Sequence, residues 1–163
     1  MNTARLRIND VISHPAHFFA LGFGAGLSPR APGTVGTLVA IPLYLLIVVW
    51  GEVYLPLWIA LGFALGVPIC AIAARNLGIH DHPGIVWDEI VGFWIAMLWL
   101  PAEWLWIAAG FVLFRLFDIV KPWPIGLIDR KVSGGLGVML DDVLAGLMAC
   151  ACLHLIRLLG VFG

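Results

Sequence analysis

The chain has 163 residues, of which 62% are hydrophobic and 12% are charged, with a formal net charge of -1 and a mean hydropathy of +1.03. Disordered chains need low hydrophobicity and high charge, and nucleic-acid-binding proteins need a basic surface, so both classes are excluded. The length indicates a single domain, residues 1–163, that is either embedded in a membrane or built around an unusually apolar helical core.

The first half of the chain contains two long uncharged runs. Residues 1–20 precede them and include a segment that could lie at a membrane interface. Gly33–Trp50 and Val53–Ala74 carry no charged residue. A helix needs about 20 apolar residues to cross the hydrocarbon core, so the second run is long enough to span a membrane and the first nearly so.

The third apolar region is interrupted by Pro101 and Glu103. As a single span it would bury Glu103 near the bilayer centre. As a short hairpin within residues 86–119, it would have helices at Val86–Leu100 and Trp104–Ile119, with Glu103 at the tip. Each arm would then be only about 22–24 Å long, which is short for a core of ~30 Å.

The distribution of basic residues decides between these two interpretations. With the hairpin and a last span at Val143–Gly163, one side of the membrane holds Arg5, Arg7, Arg30, Arg75, Lys121, Arg130 and Lys131. The connections on the other side hold Glu52 and Glu103 and no basic residue. Because basic loops stay cytoplasmic, we predict an all-α integral membrane bundle of about five membrane segments, with its N-terminus inside and its C-terminus outside.

Two pairs of adjacent acidic residues lie on the predicted cytoplasmic side. Asp88-Glu89 and Asp141-Asp142 are each predicted to open a membrane helix. One pair alone could simply be a charged cap, since the helix dipole stabilises carboxylates in a first turn. Four converging carboxylates would repel one another unless a cation lay between them, and Mg²⁺ prefers such hard oxygen ligands. The two pairs therefore predict a Mg²⁺ site at the cytoplasmic membrane surface.

Basic residues and further acids follow the hairpin. Arg115, Asp118 and Lys121 are spaced at i, i+3 and i+6, which keeps them near one face of a helix. Arg115 and Asp118 could form a plain ion pair near the headgroups. Lys121 and Arg130 could instead bind a phosphate group.

Glycine-rich segments precede the first and last spans. Gly22–Leu38 leads into the first, with Thr34 or Thr37 in position to cap the helix, and Ser133–Asp142 is predicted to be a loop before the last. Glycine lets backbone N–H groups approach an anion at a helix N-terminus. Glycines beside membrane helices also serve close packing, so either role is open.

Four blocks of the sequence together resemble the phosphatidylglycerophosphatase A family. In chain order they are GFGAGLSPRAPGTVGTLVAIP, HDHPGIVWDEIVGFWIAM, AAGFVLFRLFDIVKPWPIGLIDR and GGLGVMLDDVLAG, between residues 22 and 146. The resemblance implies a Mg²⁺-dependent, multi-pass phosphatase of the bacterial inner (plasma) membrane with its active site on the cytoplasmic side. Its substrate would be the phospholipid phosphatidylglycerophosphate, whose terminal phosphate is removed to give phosphatidylglycerol.

The same resemblance implies roles for individual residues. The metal-binding core would consist of Asp88, Glu89, Asp141 and Asp142. We expect four residues to be catalytic, with Asp81 or a carboxylate of the pairs as general base: Asp81, Asp88, Asp118 and Asp142. We expect five to bind substrate: Thr34, Arg115, Lys121, Asp129 and Arg130.

Functions of two other kinds remain open from the sequence. One is a small cation channel or transporter with acidic residues at its cytoplasmic mouth, although a transporter would place charges nearer the bilayer midplane. The other is a structural or assembly subunit, in which neutralising the acidic pairs would have no effect.

Overall fold

The computed structural model describes residues 6–79 and 82–161, and every regular element within those ranges is helical. Two 3₁₀ segments, Gly22–Leu27 and Glu52–Tyr54, accompany the α-helices. The α-helices of the described residues are α1 (Ile8–Ile12), α2 (Pro15–Ala20), α3 (Pro32–Trp50), α4 (Leu55–Leu77), α5 (Trp87–Ala96), α6 (Trp104–Val120), α7 (Ile125–Lys131) and α8 (Gly134–Leu158).

Three helical stretches of the described chain are long and apolar enough to cross a membrane. They are Pro32–Trp50, Glu52–Leu77 and Gly134–Leu158, with mean hydropathies of 2.0, 2.2 and 1.9. Each carries large hydrophobic side chains on its outer surface, including Leu46, Leu65 and Leu155. The predicted helical membrane protein is therefore confirmed.

The predicted hairpin is present, but its first arm is shorter than expected. Helix α5 has 10 residues, about 15 Å, and the chain then turns before α6, which has 17. In the turn, the Leu98 carbonyl is 3.0 Å from His154 Nε2, and the Trp99 carbonyl accepts a hydrogen bond of 2.9 Å from Arg157 Nη1. Because α8 supplies partners for these carbonyls, α5 can end early without leaving them unpaired.

The predicted loop at Ser133–Asp142 is wrong, because α8 already begins at Gly134. Asp141 and Asp142 consequently lie two turns inside this helix instead of opening it. A Cβ on Gly135 would meet the α4 backbone at Val67 and Ala71. This close contact between α8 and α4 stabilises the helical conformation despite the low helix propensity of glycine.

Helix α5 lies at the centre of the bundle. All of its residues except Glu89 are buried, and it packs against α3, α4, α6 and α8. At the end of the bundle where α5 begins, α2 packs against α4, and the His17 and Asn76 side chains are 3.0 Å apart. The acidic start of α5 shares a cavity wall with residues of α3, α6 and α8.

Candidate active site

The candidate site lies beside a close crossing of α5 and α8. A Cβ on Gly92 would be 2.9 Å from the backbone oxygen of Asp142, and one on Gly146 would overlap the Gly92 carbonyl. Gly92 follows Asp88 by four residues, and Gly146 follows Asp142 by four. Because four residues make about one helical turn, both acids stand one turn from the point of backbone contact. The glycine contact therefore brings Asp88 and Asp142 together.

Asp88, Glu89 and Asp142 form a three-carboxylate cluster. One oxygen from each lies within 4.8 Å of the others. Asp88 is 9% exposed and Asp142 3% exposed. Asp88 Oδ1, Glu89 Oε2 and Asp142 Oδ1 are buried and have no hydrogen-bond partner among the described residues. Buried carboxylates this close repel one another, so the cluster is stabilised by a bound cation or by protons.

A cavity of about 340 Å³ adjoins the cluster. Its charged lining residues are Asp88, Glu89, Arg115, Asp118, Lys121, Asp141 and Asp142. Arg115 Nη1 lies 2.6 Å from Asp118 Oδ2 and 3.8 Å from Glu89 Oε1. Arg115 Nε and Nη1 are nevertheless buried without an aligned hydrogen bond in the described part of the chain. The predicted Arg115–Asp118 ion pair is confirmed, and the guanidinium retains donors for an anion in the cavity.

Lys121 joins three helices at the other side of the cavity. Its Nζ donates hydrogen bonds of 2.7 Å to Asp129 on α7 and 2.7 Å to Asp141 on α8. Burial alone would lower the pKa of Lys121, but the hydrogen bonds to Asp129 and Asp141 outweigh burial and raise the pKa above its ordinary value. Lys121 therefore remains a cation, and Asp141 faces this cation.

We expect Lys121→Gln to lower the free energy of unfolding by about 1–3 kcal/mol, because it removes charged hydrogen bonds and leaves the partly buried Asp141 unpaired. Since the pKa of Lys121 is raised on folding, its contribution is complete below the unfolded-state pKa of about 10.4 and is lost as the pH rises through the folded-state value. Thermal unfolding in detergent should show a constant deficit between pH 7 and 10. Lys131→Gln, which removes an exposed cation of α7, is the control. If Lys121→Gln and Lys131→Gln lowered the Tm equally, the stabilising role of Lys121 would be contradicted.

Helix α3 packs directly against Glu89 of the cluster and against Arg115. A Cβ on Gly33 would overlap Glu89 Oε1 and lie 3.1 Å from Arg115 Nη1, so only glycine leaves these side chains in place. The expected cap by Thr34 or Thr37 is wrong: the N-cap is Ala31, which makes no side-chain cap hydrogen bond. Thr37 instead donates a 3.0 Å hydrogen bond to the Gly33 carbonyl, because both residues lie inside the helix.

The other predicted site residues lie around the cavity or outside it. Among the described residues, Asp129 contacts the site through Lys121. Its neighbour Arg130 is exposed and donates from Nε to the Gly126 carbonyl at 2.8 Å. Thr34 lies in the first turn of α3 and is not part of the cavity lining within the described ranges. Asp81, the predicted general base, falls outside the described residues.

Sequence reasoning missed the glycines that shape the site. Gly92 and Gly146 lie in DEIVG and DVLAG, so a glycine follows an aspartate by four residues in both segments. That shared spacing is a detectable signal for two helices that cross next to paired acids. Gly33 offers no such signal, since its role depends on side chains that are distant in the sequence.

The fold and the cavity together define a helical membrane protein with an acidic cluster and two basic groups around one cavity. A family model, described as phosphatidylglycerophosphatase A, matches residues 18–157. Phosphatidylglycerophosphatase A of Escherichia coli (strain K12) is 47% identical over 146 residues, which cover 89% of this chain and 85% of the relative. The protein of the same name from Haemophilus influenzae is 45% identical over 138 residues, which cover 83% and 85%. No solved structure matches this chain significantly.

The chain therefore belongs to the phosphatidylglycerophosphatase A family. As a member of that family it is a phosphoric monoester hydrolase, which confirms the predicted enzyme class. The channel, transporter and structural alternatives are thereby set aside.

Proposed function

We propose that this protein hydrolyses the terminal phosphate of phosphatidylglycerophosphate with the help of Mg²⁺, giving phosphatidylglycerol and inorganic phosphate. The observation that carries the proposal is the buried cluster of Asp88, Glu89 and Asp142 in the wall of a cavity that also contains Arg115. The names of the two relatives, phosphatidylglycerophosphatase A, support the choice of phosphatidylglycerophosphate as the substrate.

The donor set fits a divalent cation. Each of the three carboxylates has one oxygen within 4.8 Å of the others, and each also has a buried oxygen without a hydrogen-bond partner among the described residues. A hard cation such as Mg²⁺ binds through a few carboxylates together with substrate phosphate. Asp88, Glu89 and Asp142 would hold the ion. When bound, it would supply charge neutralisation for the phosphate oxygens and acidify a nearby water.

The residues of this chain bind and orient the phosphate. The Arg115 guanidinium donates to phosphate oxygens, while Asp118 holds its Nη1 at 2.6 Å. A water molecule attacks phosphorus in line, and the bond from phosphorus to the glycerol oxygen breaks. A cavity carboxylate such as Asp118 accepts the proton of the attacking water. The same proton then passes to the leaving glycerol oxygen, which becomes the alcohol.

The proposed orientation places the cavity at the cytoplasmic surface of the bacterial inner membrane. The cavity opens where α3, α5 and α8 begin and α6 ends, which is the end that carries Arg75, Lys121, Arg130 and Lys131. Exposed Glu52 and Glu103 lie at the opposite end, together with Arg157, so that end carries fewer basic residues among those described. This distribution agrees with the preference of basic residues for the cytoplasmic side.

Purified, chelator-treated protein in detergent tests the proposal. We expect phosphate release from phosphatidylglycerophosphate only after Mg²⁺ is added. Mg²⁺ should also raise the Tm in the absence of substrate, because an ion that binds the folded state stabilises it. Glu103→Gln, at an exposed acid of the opposite end, serves as the control and should keep both responses. Full activity after chelation, with no Tm response to Mg²⁺, would refute the metal assignment.

A further inference from the structure

Helix α7 presents a mixed apolar and basic face to the outside of the bundle. Leu127, Arg130 and Lys131 have i, i+3 and i+4 spacing, so they share one side of the helix. Leu127 is 43% exposed, both basic residues are exposed, and Trp123 just before the helix is 81% exposed. These four residues form the α7 outer face, which lies apart from the catalytic cavity.

The opposite side of α7 fixes this orientation. Ile125 is fully buried, and Asp129 accepts the 2.7 Å hydrogen bond from Lys121. Rotation of α7 would break both contacts. The outer face therefore stays directed away from the bundle.

The apolar surface next to the α7 outer face indicates that this face contacts lipid. Helix α6 ends in the exposed apolar residues Leu116 and Val120, and in Ile119, which is exposed but also lines the cavity. The exposed Trp123 follows Val120 by three residues. An apolar surface of this kind on a membrane-spanning bundle faces lipid. The α7 outer face thus continues a lipid-facing surface at the end of the bundle where the basic residues lie.

We propose that the α7 outer face binds anionic lipid headgroups of the leaflet next to the active site. Trp123 and Leu127 insert at the level of the headgroups, where indole and leucine side chains are stabilised. Arg130 and Lys131 pair with lipid phosphates, and their two positive charges give the surface its preference for anionic over zwitterionic lipid. Arg130 thereby acts on the surrounding membrane and not on the phosphate in the cavity.

Hydrogen–deuterium exchange of residues 123–131 tests this surface. The protein is placed as one copy per nanodisc, in phosphatidylcholine alone or with phosphatidylserine added. We expect exchange in this segment to slow by about tenfold in the anionic discs and the slowing to disappear in 1 M salt. The double variant Arg130→Gln/Lys131→Gln should lose the slowing. Arg75→Gln, which removes another exposed cation from the same end of the bundle, should keep it.

Each other outcome would overturn the proposal. Equal exchange in both kinds of disc, or slowing that persists in the double variant, would show that the basic pair does not contact lipid. Slowing produced by inorganic phosphate in phosphatidylcholine discs would indicate a site for soluble anions. Slowing that requires two copies in one disc would indicate a contact between protein chains.

Discussion

Replacing either aspartate at the α5–α8 crossing should abolish phosphatase activity. We expect Asp88→Asn and Asp142→Asn each to lower turnover by about a thousandfold or more, because each removes a charged oxygen from a cluster of three. Asparagine has nearly the same volume, and the substitution reduces repulsion among buried carboxylates, so folding should be preserved. The measurement is phosphate release by purified protein, with expression and Tm recorded in parallel.

One control variant makes this experiment decisive. The matched control is Glu103→Gln, an exposed acid at the N-cap of α6 that makes no side-chain cap hydrogen bond. It should retain full activity. Turnover near that of the unaltered protein in Asp88→Asn or Asp142→Asn would contradict the assignment of the site.

Enlarging Gly146 should disrupt the site without touching a charged residue. In Gly146→Val the added side chain meets the Gly92 carbonyl and, at 3.0 Å, Ile95 Cβ, so α5 and α8 must separate. Overpacking of this kind costs about 1–3 kcal/mol and displaces Asp88 relative to Asp142. We expect activity to fall by more than about a hundredfold, since catalytic geometry tolerates only small displacements. Activity and Tm in detergent are the measurements.

A smaller change keeps this prediction testable if the valine variant does not fold. Gly146→Ala should give an intermediate loss of activity and a lower Tm. Ala151→Val lies on an exposed position of the same helix and controls for the effect of valine on α8. An alanine variant with unchanged activity and Tm would show that the backbone contact does not position the acids.

The positions of the long membrane helices were predictable because they depend on local hydropathy. Gly33–Trp50 and Val53–Ala74 correspond closely to α3 and α4. The end of α5 and the start of α8 were not predictable in the same way. The end of α5 depends on side chains of α8 that contact the Leu98 and Trp99 carbonyls. The start of α8 depends on the packing of Gly135 against α4. Both boundaries are set by contacts between distant parts of the chain.

The candidate site was likewise predictable only in part. Charged residues in an apolar sequence pointed to Asp88, Glu89 and Asp142, which the structure brings together. The sequence could not show that Asp141 faces Lys121 while its neighbour faces the cluster, because adjacent residues on a helix point in different directions. Nor could it show that Arg130 lies on the outward side of α7, since that depends on which face Ile125 buries.

The turn after α5 has a consequence for biogenesis. Its Leu98 and Trp99 carbonyls obtain their partners from His154 and Arg157, which lie in α8 and are synthesised well after the hairpin. A nascent chain that has not yet delivered α8 lacks these donors and also lacks Asp142. The turn carbonyls therefore gain these partners only once α8 has been synthesised, and the carboxylate cluster is completed by that same helix.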